Sequence, residues 1–298
     1  MRFFFLIWLA AALFAAAPTS LALVGGYPVY SGQFPSVFVF TGEEEVLQES
    51  FCTATKVAPD WILTAAHCLL AQGPPTEKHF GPWKEIAHFA PGHSLQYSVE
   101  RNPIGKSQRL LIEEIRFPPS VERCLNDPLN DVESCHSLTP LPDVALVRVV
   151  PQSSFLSLKS AVIALNYIEA GTYLDVVGYG AERDGEFFQQ PLRLTSHGAV
   201  TSTTEFIIQS LKNTEAIPDA IPSFFHFFGV INDPGLAGHT NLGSGDSGGP
   251  VFLWGTQQIV GINSHGFCPI KNPECQVTNN SFFSRLNFLP WTWWPKSH

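Results

Sequence analysis

Gly243-Ser244-Gly245-Asp246-Ser247-Gly248-Gly249-Pro250 holds four glycines in eight residues. Such a run does not build a core helix or strand, because each glycine gives up much backbone entropy on folding. It suits a tight loop that turns sharply and presents its N–H groups. Two readings fit. One is a plain glycine-serine turn. The other is a loop in which Ser247 is a nucleophile set among amide donors, the geometry of an oxyanion hole. The second needs a histidine and a carboxylate from elsewhere in the chain.

The chain has 298 residues and is 45% hydrophobic, enough for a sizeable core. Pro and Gly are frequent and spread out, which predicts many short strands joined by turns. The first residues read as a secretory signal. Arg2 is followed by the apolar run Phe3 to Ala17, and Ser20-Leu21-Ala22 places small residues for a cut after Ala22. The run is about 15 residues against the roughly 20 of a membrane span. A retained anchor is the alternative. The expected mature chain starts at Leu23 and is secreted, to an extracellular or periplasmic space, with no stable membrane insertion. Without Arg2 it carries 16 basic and 26 acidic residues, a net of −10. That argues against nucleic acid as a partner.

The histidine and the carboxylate are present. Phe51 to Val57 and Trp61 to Thr64 read as a strand pair turned at Pro59-Asp60, ending in Ala65-Ala66-His67-Cys68. A Cys52–Cys68 bridge would pin the His67 loop. Asp143 opens the apolar strand Asp143 to Val150, where its charge either faces water or is buried with a partner. Further strands are expected at Val37 to Phe40, Arg109 to Phe117, Thr172 to Val177, Leu194 to Thr201 and Phe224 to Ile231. Pro250 to Trp254 and Gln258 to Ile262 form a hairpin, and Phe282 to Leu289 reads as a last strand or helix entry. Glu43-Glu44-Glu45 reads as a solvated hairpin tip. Residues 71 to 108 read as loops with short strands, and Pro118 to Pro142 as a polar insertion. Six cysteines permit 15 pairings. Cys124–Cys135 would close the insertion locally, and Cys268–Cys275 a short loop near the end. Trp291, Trp293 and Trp294 are expected to pack a terminal turn on the body, with anchoring at a membrane interface as the alternative.

No cofactor or metal is expected. His79, His88 and His93 have no ligand spacing of a helix or ribbon site. Asp127, Asp131 and Glu133 read as a solvated acidic loop rather than a calcium site.

Leu63-Thr64-Ala65-Ala66-His67-Cys68, Asp143-Val144-Ala145-Leu146-Val147 and Gly245-Asp246-Ser247-Gly248-Gly249-Pro250 resemble the three signature segments of the trypsin/chymotrypsin-like serine proteases, in that order. Leu23-Val24-Gly25-Gly26 resembles that family's mature N-terminus. The resemblance runs from Leu23 to about Trp291. It implies an all-β fold of two packed six-stranded antiparallel barrels, roughly residues 23–155 and 156–298, with a short C-terminal helix and the site in the cleft between them. It implies a secreted, monomeric endopeptidase acting on proteins or peptides. His67 would be the base, Asp143 its orienter and Ser247 the nucleophile, with the N–H groups of Gly245 and Ser247 as the oxyanion hole. The amine of Leu23 would pair with Asp246. Asn241, Ser264 and Gly266 would line the substrate cleft, and Ser264 would also support Asp143.

Departures from the family pattern concern what is cut. Asn241 stands at the pocket base, in place of the aspartate of trypsin-like or the serine of chymotrypsin-like members. Gly243 replaces a common cysteine, so Cys268 must pair elsewhere, consistent with Cys275. His265 replaces a tryptophan. Two other functions were weighed. A catalytically inactive homologue serving as a binding module would usually lack a triad residue, and none is missing. An esterase would set its serine in a Gly-x-Ser-x-Gly elbow between strand and helix, whereas here the flanking sequence is hairpin material.

Overall fold

A computed structural model describes residues 27–29, 32–42, 52–72, 83–85, 89–99, 107–126, 141–180, 193–200, 227–228, 230–231, 242, 245–267 and 280–295. The first half opens with β1 (Tyr27–Pro28) and β2 (Val37–Gly42), followed by β3 (Cys52–Ala58) and β4 (Trp61–Thr64). A single 3-10 turn, Ala66–Cys68, precedes β5 (Leu70–Gln72), β6 (Trp83–Glu85), β7 (Ser94–Ser98) and β8 (Gln108–Arg116). Helix α1 (Pro119–Asn126) then leads to β9 (Ala145–Val150).

Strands β2-β3-β4-β9-β8-β7 close into a six-stranded antiparallel barrel, which leaves no open edge. The local reasons are plain in the sequence. β2 is buried along its whole length, and its first four residues, Val37 to Phe40, are apolar. β8 alternates instead: Leu110 and Ile112 point into the barrel, while Leu111 faces solvent. Phe38 meets the rings of Tyr97 and Phe155 edge-on at 5.5 and 5.9 Å, and Tyr97 meets Phe155 at 5.6 Å. This arrangement is favourable beyond simple burial.

The second half holds α2 (Ser153–Ser157), β10 (Val162–Ile163), β11 (Tyr173–Gly178), β12 (Arg193–Val200), β13 (Phe227–Phe228), β14 (Val230–Ile231), β15 (Pro250–Leu253), β16 (Gln258–Phe267) and β17 (Asn280–Arg285). They form a nine-stranded sheet, ordered β1-β12-β11-β15-β16-β17-β13, with β10 on β16 and β14 on β12. One core cluster runs through both halves, and Phe34 stacks on Phe252 at 5.3 Å. The architecture is therefore mostly β, with a closed barrel and few helices.

Lys56 fastens α2 to the barrel. Its side chain is buried, and its ammonium donates to the carbonyls of Phe155, Leu156 and Leu158 at 2.8, 3.2 and 2.8 Å. Those carbonyls end the short helix and need donors. Burial lowers the Lys56 pKa, and the three oxygens compensate the charge. At the far end, Trp293 donates its indole N–H to the Phe117 carbonyl at 2.9 Å. Arg116 donates to the Trp293 carbonyl at 2.9 Å and lies 4.5 Å over the Trp61 ring. The expected packing of the terminal tryptophans is what Trp293 and Trp294 show; the short C-terminal helix is a 3-10 turn, Trp291–Trp293.

The insertion departs from its reading. It begins as α1, whose Val121 and Cys124 are buried, because two apolar side chains three apart share one helix face. Cys124 is disulfide-bonded. Its expected partner Cys135 lies outside the described residues, as do Cys268, Cys275 and Glu43-Glu44-Glu45. Cys52 is bonded to Cys68, 16 residues away. Closing a loop of that size stabilises by about 3 kcal/mol in the chain-entropy model.

Phe38→Ala empties the centre of the barrel and is expected to cost about 3–5 kcal/mol, read from the urea midpoint at unchanged slope. Phe288→Ala, at an exposed ring, is expected to change stability by about 0.5 kcal/mol or less.

Candidate active site

Strand register brings the signature residues together. Thr64 of β4 pairs with Ala145 of β9. His67, three residues past Thr64, and Asp143, two before Ala145, therefore reach the same barrel rim. In the sheet, Pro250 of β15 pairs with Ile262 of β16. Ser247, three before Pro250, and Ser264, two past Ile262, reach one end likewise. Val176 of β11 pairs with Val251, so Gly178 to Gly180 run beside Asp246 and Gly249.

Asp143 joins the two groups. It is buried to 1% exposure, and its Oδ2 lies 2.7 Å from His67 Nδ1. Oδ1 accepts the His67 backbone N–H at 2.9 Å, and Oδ2 the Ser264 hydroxyl at 2.5 Å. The Asp143 backbone N–H donates to Ser284 Oγ at 3.2 Å. Of the two fates open to a charge at the start of this strand, the structure shows burial with partners. Burial works against the carboxylate, but the His67 charge and the hydrogen bonds from His67 and Ser264 outweigh it and hold its pKa well below the usual range. Burial likewise works against charging the His67 ring, and Asp143 outweighs it, so the His67 pKa is raised. The His67 side chain keeps 30% of its surface open, so its far nitrogen can meet a reactant.

From Gly245 to Gly249 the glycine-rich stretch is a loop held by its neighbours. Gly245 has φ 93° and Gly248 φ 80°, in the left-handed region that favours glycine. A Cβ on Gly248 would collide with Thr64 Oγ1 and the Thr53 carbonyl, so the glycine lets this loop seat on the β3–β4 pair. The Asp246 carbonyl accepts the Gly249 N–H at 3.0 Å and the Asn263 side-chain amide at 3.1 Å. The Ser247 N–H sits on the same trans peptide and so points the opposite way. The Ser247 hydroxyl donates to the Ser264 carbonyl at 3.3 Å. His67, Asp143, Ser264 and Ser247 thus form one connected set.

Asp246 is fully buried, and its Oδ1 accepts the Gly180 N–H at 2.7 Å. A Cβ on Gly178 or Gly180 would collide with its carboxylate. Gly266 faces Ser281 across the β16–β17 ladder. Leu23, Asn241, Gly243, His79, His88, Asp127, Asp131 and Glu133 lie outside the described residues, as do residues 1–22. His93 is exposed in a turn. Cys52, His67 and Cys68 lie close together, but both sulfurs are committed to the disulfide and offer no thiolate.

The sequence reading passed over Ser284, Asn263 and Thr53. Each occupies a strand position where a small polar residue is unremarkable, and only the pairing across strands shows what it touches.

The family model for Trypsin matches residues 23–292. Tonin of Rattus norvegicus is 21% identical over 290 residues, covering 93% of this chain and 90% of tonin. Among solved structures, neuropsin, a serine protease expressed in the limbic system of mouse brain, superposes with a TM-score of 0.56 at 16% identity, over 88% of this chain and 94% of neuropsin. An inactivated protease paralogue of the scabies mite superposes with a TM-score of 0.59 at 15% identity, over 89% and 92%. The match of sequence to the family across nearly the whole chain, and of fold to its members, shows that the chain belongs to the trypsin/chymotrypsin-like serine protease family.

Proposed function

We propose that this protein is a secreted serine endopeptidase that cleaves peptide bonds through an acyl-enzyme. The observation that carries the reading is the hydrogen-bonded set of His67, Asp143, Ser264 and Ser247. A serine hydroxyl is a poor nucleophile at neutral pH, so His67 takes its proton as Ser247 attacks the carbonyl carbon. Asp143 fixes the ring so that Nδ1 carries the proton and Nε2 is the base, and it stabilises the imidazolium that forms. The N–H groups of Gly245 and Ser247 receive the oxyanion. The imidazolium then protonates the departing amine, and water repeats the sequence to release the acyl group.

Substrates are proteins or peptides, and the acidic balance disfavours nucleic acid. By the family resemblance, Asn241 at the pocket base and Gly266 at its mouth would suit a neutral polar or medium-sized apolar side chain. Residues 1–22 are a signal peptide, 23–155 and 156–298 the two halves, and the working form is a monomer. Among the described residues, no helix is long and apolar enough to cross a membrane. Cleavage after Ala22 creates the Leu23 amine, and its charge suits a carboxylate as buried as Asp246. Export itself then activates the enzyme, since the residue before Leu23 is Ala22 and offers a trypsin-like activator no basic side chain.

One observation favours a second reading, an inactive homologue that binds without cleaving: the Ser247 hydroxyl is turned to the Ser264 carbonyl. The bond between a nucleophile and its base is often long or misaligned before substrate binds, and a rotation about one side-chain bond frees the Ser247 hydroxyl from the Ser264 carbonyl.

A serine-directed phosphonate separates the two. Wild type secreted from cells is expected to label and Ser247→Ala not to; a folded, trimmed wild type that stays unlabelled removes the enzyme reading. N-terminal sequencing is expected to find Leu23, and a start at Pro18 or earlier, with activity only after trimming, overturns activation by export. The pH dependence follows from His67. Because its pKa is raised, kcat/KM climbs with pH through a midpoint above the roughly 6.5 of an ordinary histidine. Asp143→Asn removes the charge that raises it. The ring titration, followed by NMR, then moves below that of wild type, and kcat falls by about 10⁴-fold.

A further inference from the structure

Thr53 of β3 makes four hydrogen bonds, two of them to the loop carrying Ser247. Its backbone N–H donates to the Ser247 carbonyl at 2.8 Å. Its hydroxyl donates to the Gly245 carbonyl at 2.8 Å and accepts the Tyr179 N–H at 3.0 Å. Its own carbonyl accepts the Thr64 hydroxyl at 3.0 Å. The residue is fully buried, so water does not substitute for any of these partners.

The direction of the hydroxyl is forced. A backbone N–H only donates, so the lone pair of Thr53 Oγ1 goes to Tyr179 and its single proton goes to Gly245. The partner matters as much as the bond. Gly245 sits at φ 93°, and glycine has no side chain to favour one peptide orientation over another. Something outside the loop must choose. Thr53 grips the peptide that follows Gly245, while its N–H grips the one that follows Ser247. The same hydroxyl ties the loop to Tyr179, whose neighbour Gly180 binds Asp246.

We propose that Thr53 is a positioning residue that sets the oxyanion-binding geometry through its hydroxyl, by fixing the Gly245–Asp246 peptide next to the one that carries the Ser247 N–H rather than by touching the substrate. The inference rests on the serine protease reading above. A residue of the barrel thus holds the peptides on both sides of the one that carries the Ser247 N–H, so that hole and triad are aligned by the same β3–β4 pair that presents His67.

Thr53→Val keeps size and shape but deletes the hydroxyl; Thr53→Ser keeps it. Removing one oxyanion donor outright typically costs about 10²–10³ in kcat. A donor that is present but misdirected is expected to lose about 10- to 100-fold in kcat for a peptide substrate with KM nearly unchanged. Thr53→Ser is expected to stay within about threefold of wild type. Thr55→Val serves as the control: Thr55 lies in the same strand, is equally buried, and its hydroxyl has no hydrogen-bond partner among the described residues. It is expected to leave kcat alone. Amide hydrogen exchange over Gly245 to Gly249 is measured in the same proteins, and is expected to rise in Thr53→Val only.

The exchange result stands whether or not the wild type cleaves anything, so failure of the protease reading shows in the phosphonate experiment and failure of this one in the exchange. Unchanged exchange over Gly245 to Gly249 in Thr53→Val, or a kcat within twofold of wild type despite a lowered Tm, overturns the proposal. So does a folded Thr53→Ser that loses as much kcat as Thr53→Val. If Thr53→Val and Thr53→Ala both fail to fold while Thr53→Ser folds, the hydroxyl is a requirement of folding rather than of loop geometry, and the proposal falls.

Discussion

A carboxylate with 1% of its surface exposed must have its charge met by its neighbours, and Asp143 is where that requirement organises the molecule. Removing such a group from water costs several kcal/mol before compensation. Compensation arrives from both halves of the chain: the His67 ring and backbone from the barrel, the Ser264 hydroxyl from the sheet. Neither half alone satisfies the charge. The burial that makes Asp143 expensive also makes its pull on His67 strong, because the interaction is not screened by water. Stability and proton affinity at the site therefore have one source.

The second constraint is the freedom of glycine. The loop around Ser247 needs left-handed backbone at Gly245 and Gly248 and close approach to other backbone at Gly248 and Gly249. Those needs select glycine, and glycine leaves the loop without a preferred shape of its own. Order comes from outside. Asn263 holds the Asp246 carbonyl, and Thr53 holds the carbonyls on either side of it. Gly178 and Gly180 in turn leave the space that the Asp246 carboxylate fills. The loop is a mould of its neighbours.

Farther out, the same economy of buried polar groups fixes the connections. Lys56 ends α2 and holds the link between halves against the barrel. Arg116 and Trp293 dock the terminal turn beside Phe117. Lys56 and Arg116 are donors on the barrel that satisfy carbonyls a short helix or turn leaves open, and Trp293 of the turn donates back to the Phe117 carbonyl. These contacts tie the link between halves and the terminal turn to the barrel.

Much was legible before any coordinates. Local composition is enough for a strand such as Val37 to Phe40, for the hairpin from Pro250, and for the Cys52–Cys68 bridge, because periodicity, turn residues and cysteine spacing are properties of short stretches. The signature segments around His67, Asp143 and Ser247 were likewise readable as three sites awaiting assembly. Helix α1 was not, because a single buried face of Val121 and Cys124 inside a polar segment carries too little pattern to read. What the sequence alone determined is which residue types were available and which stretches would be strand or loop. What only the tertiary structure decided is which atoms meet: that Thr64 lies opposite Ala145 and Pro250 opposite Ile262, and hence that Asp143 is buried against His67 and Ser264, and Thr53 against Gly245. Register is a relation between strands distant in sequence, set by how their apolar faces pack, and no single segment contains it.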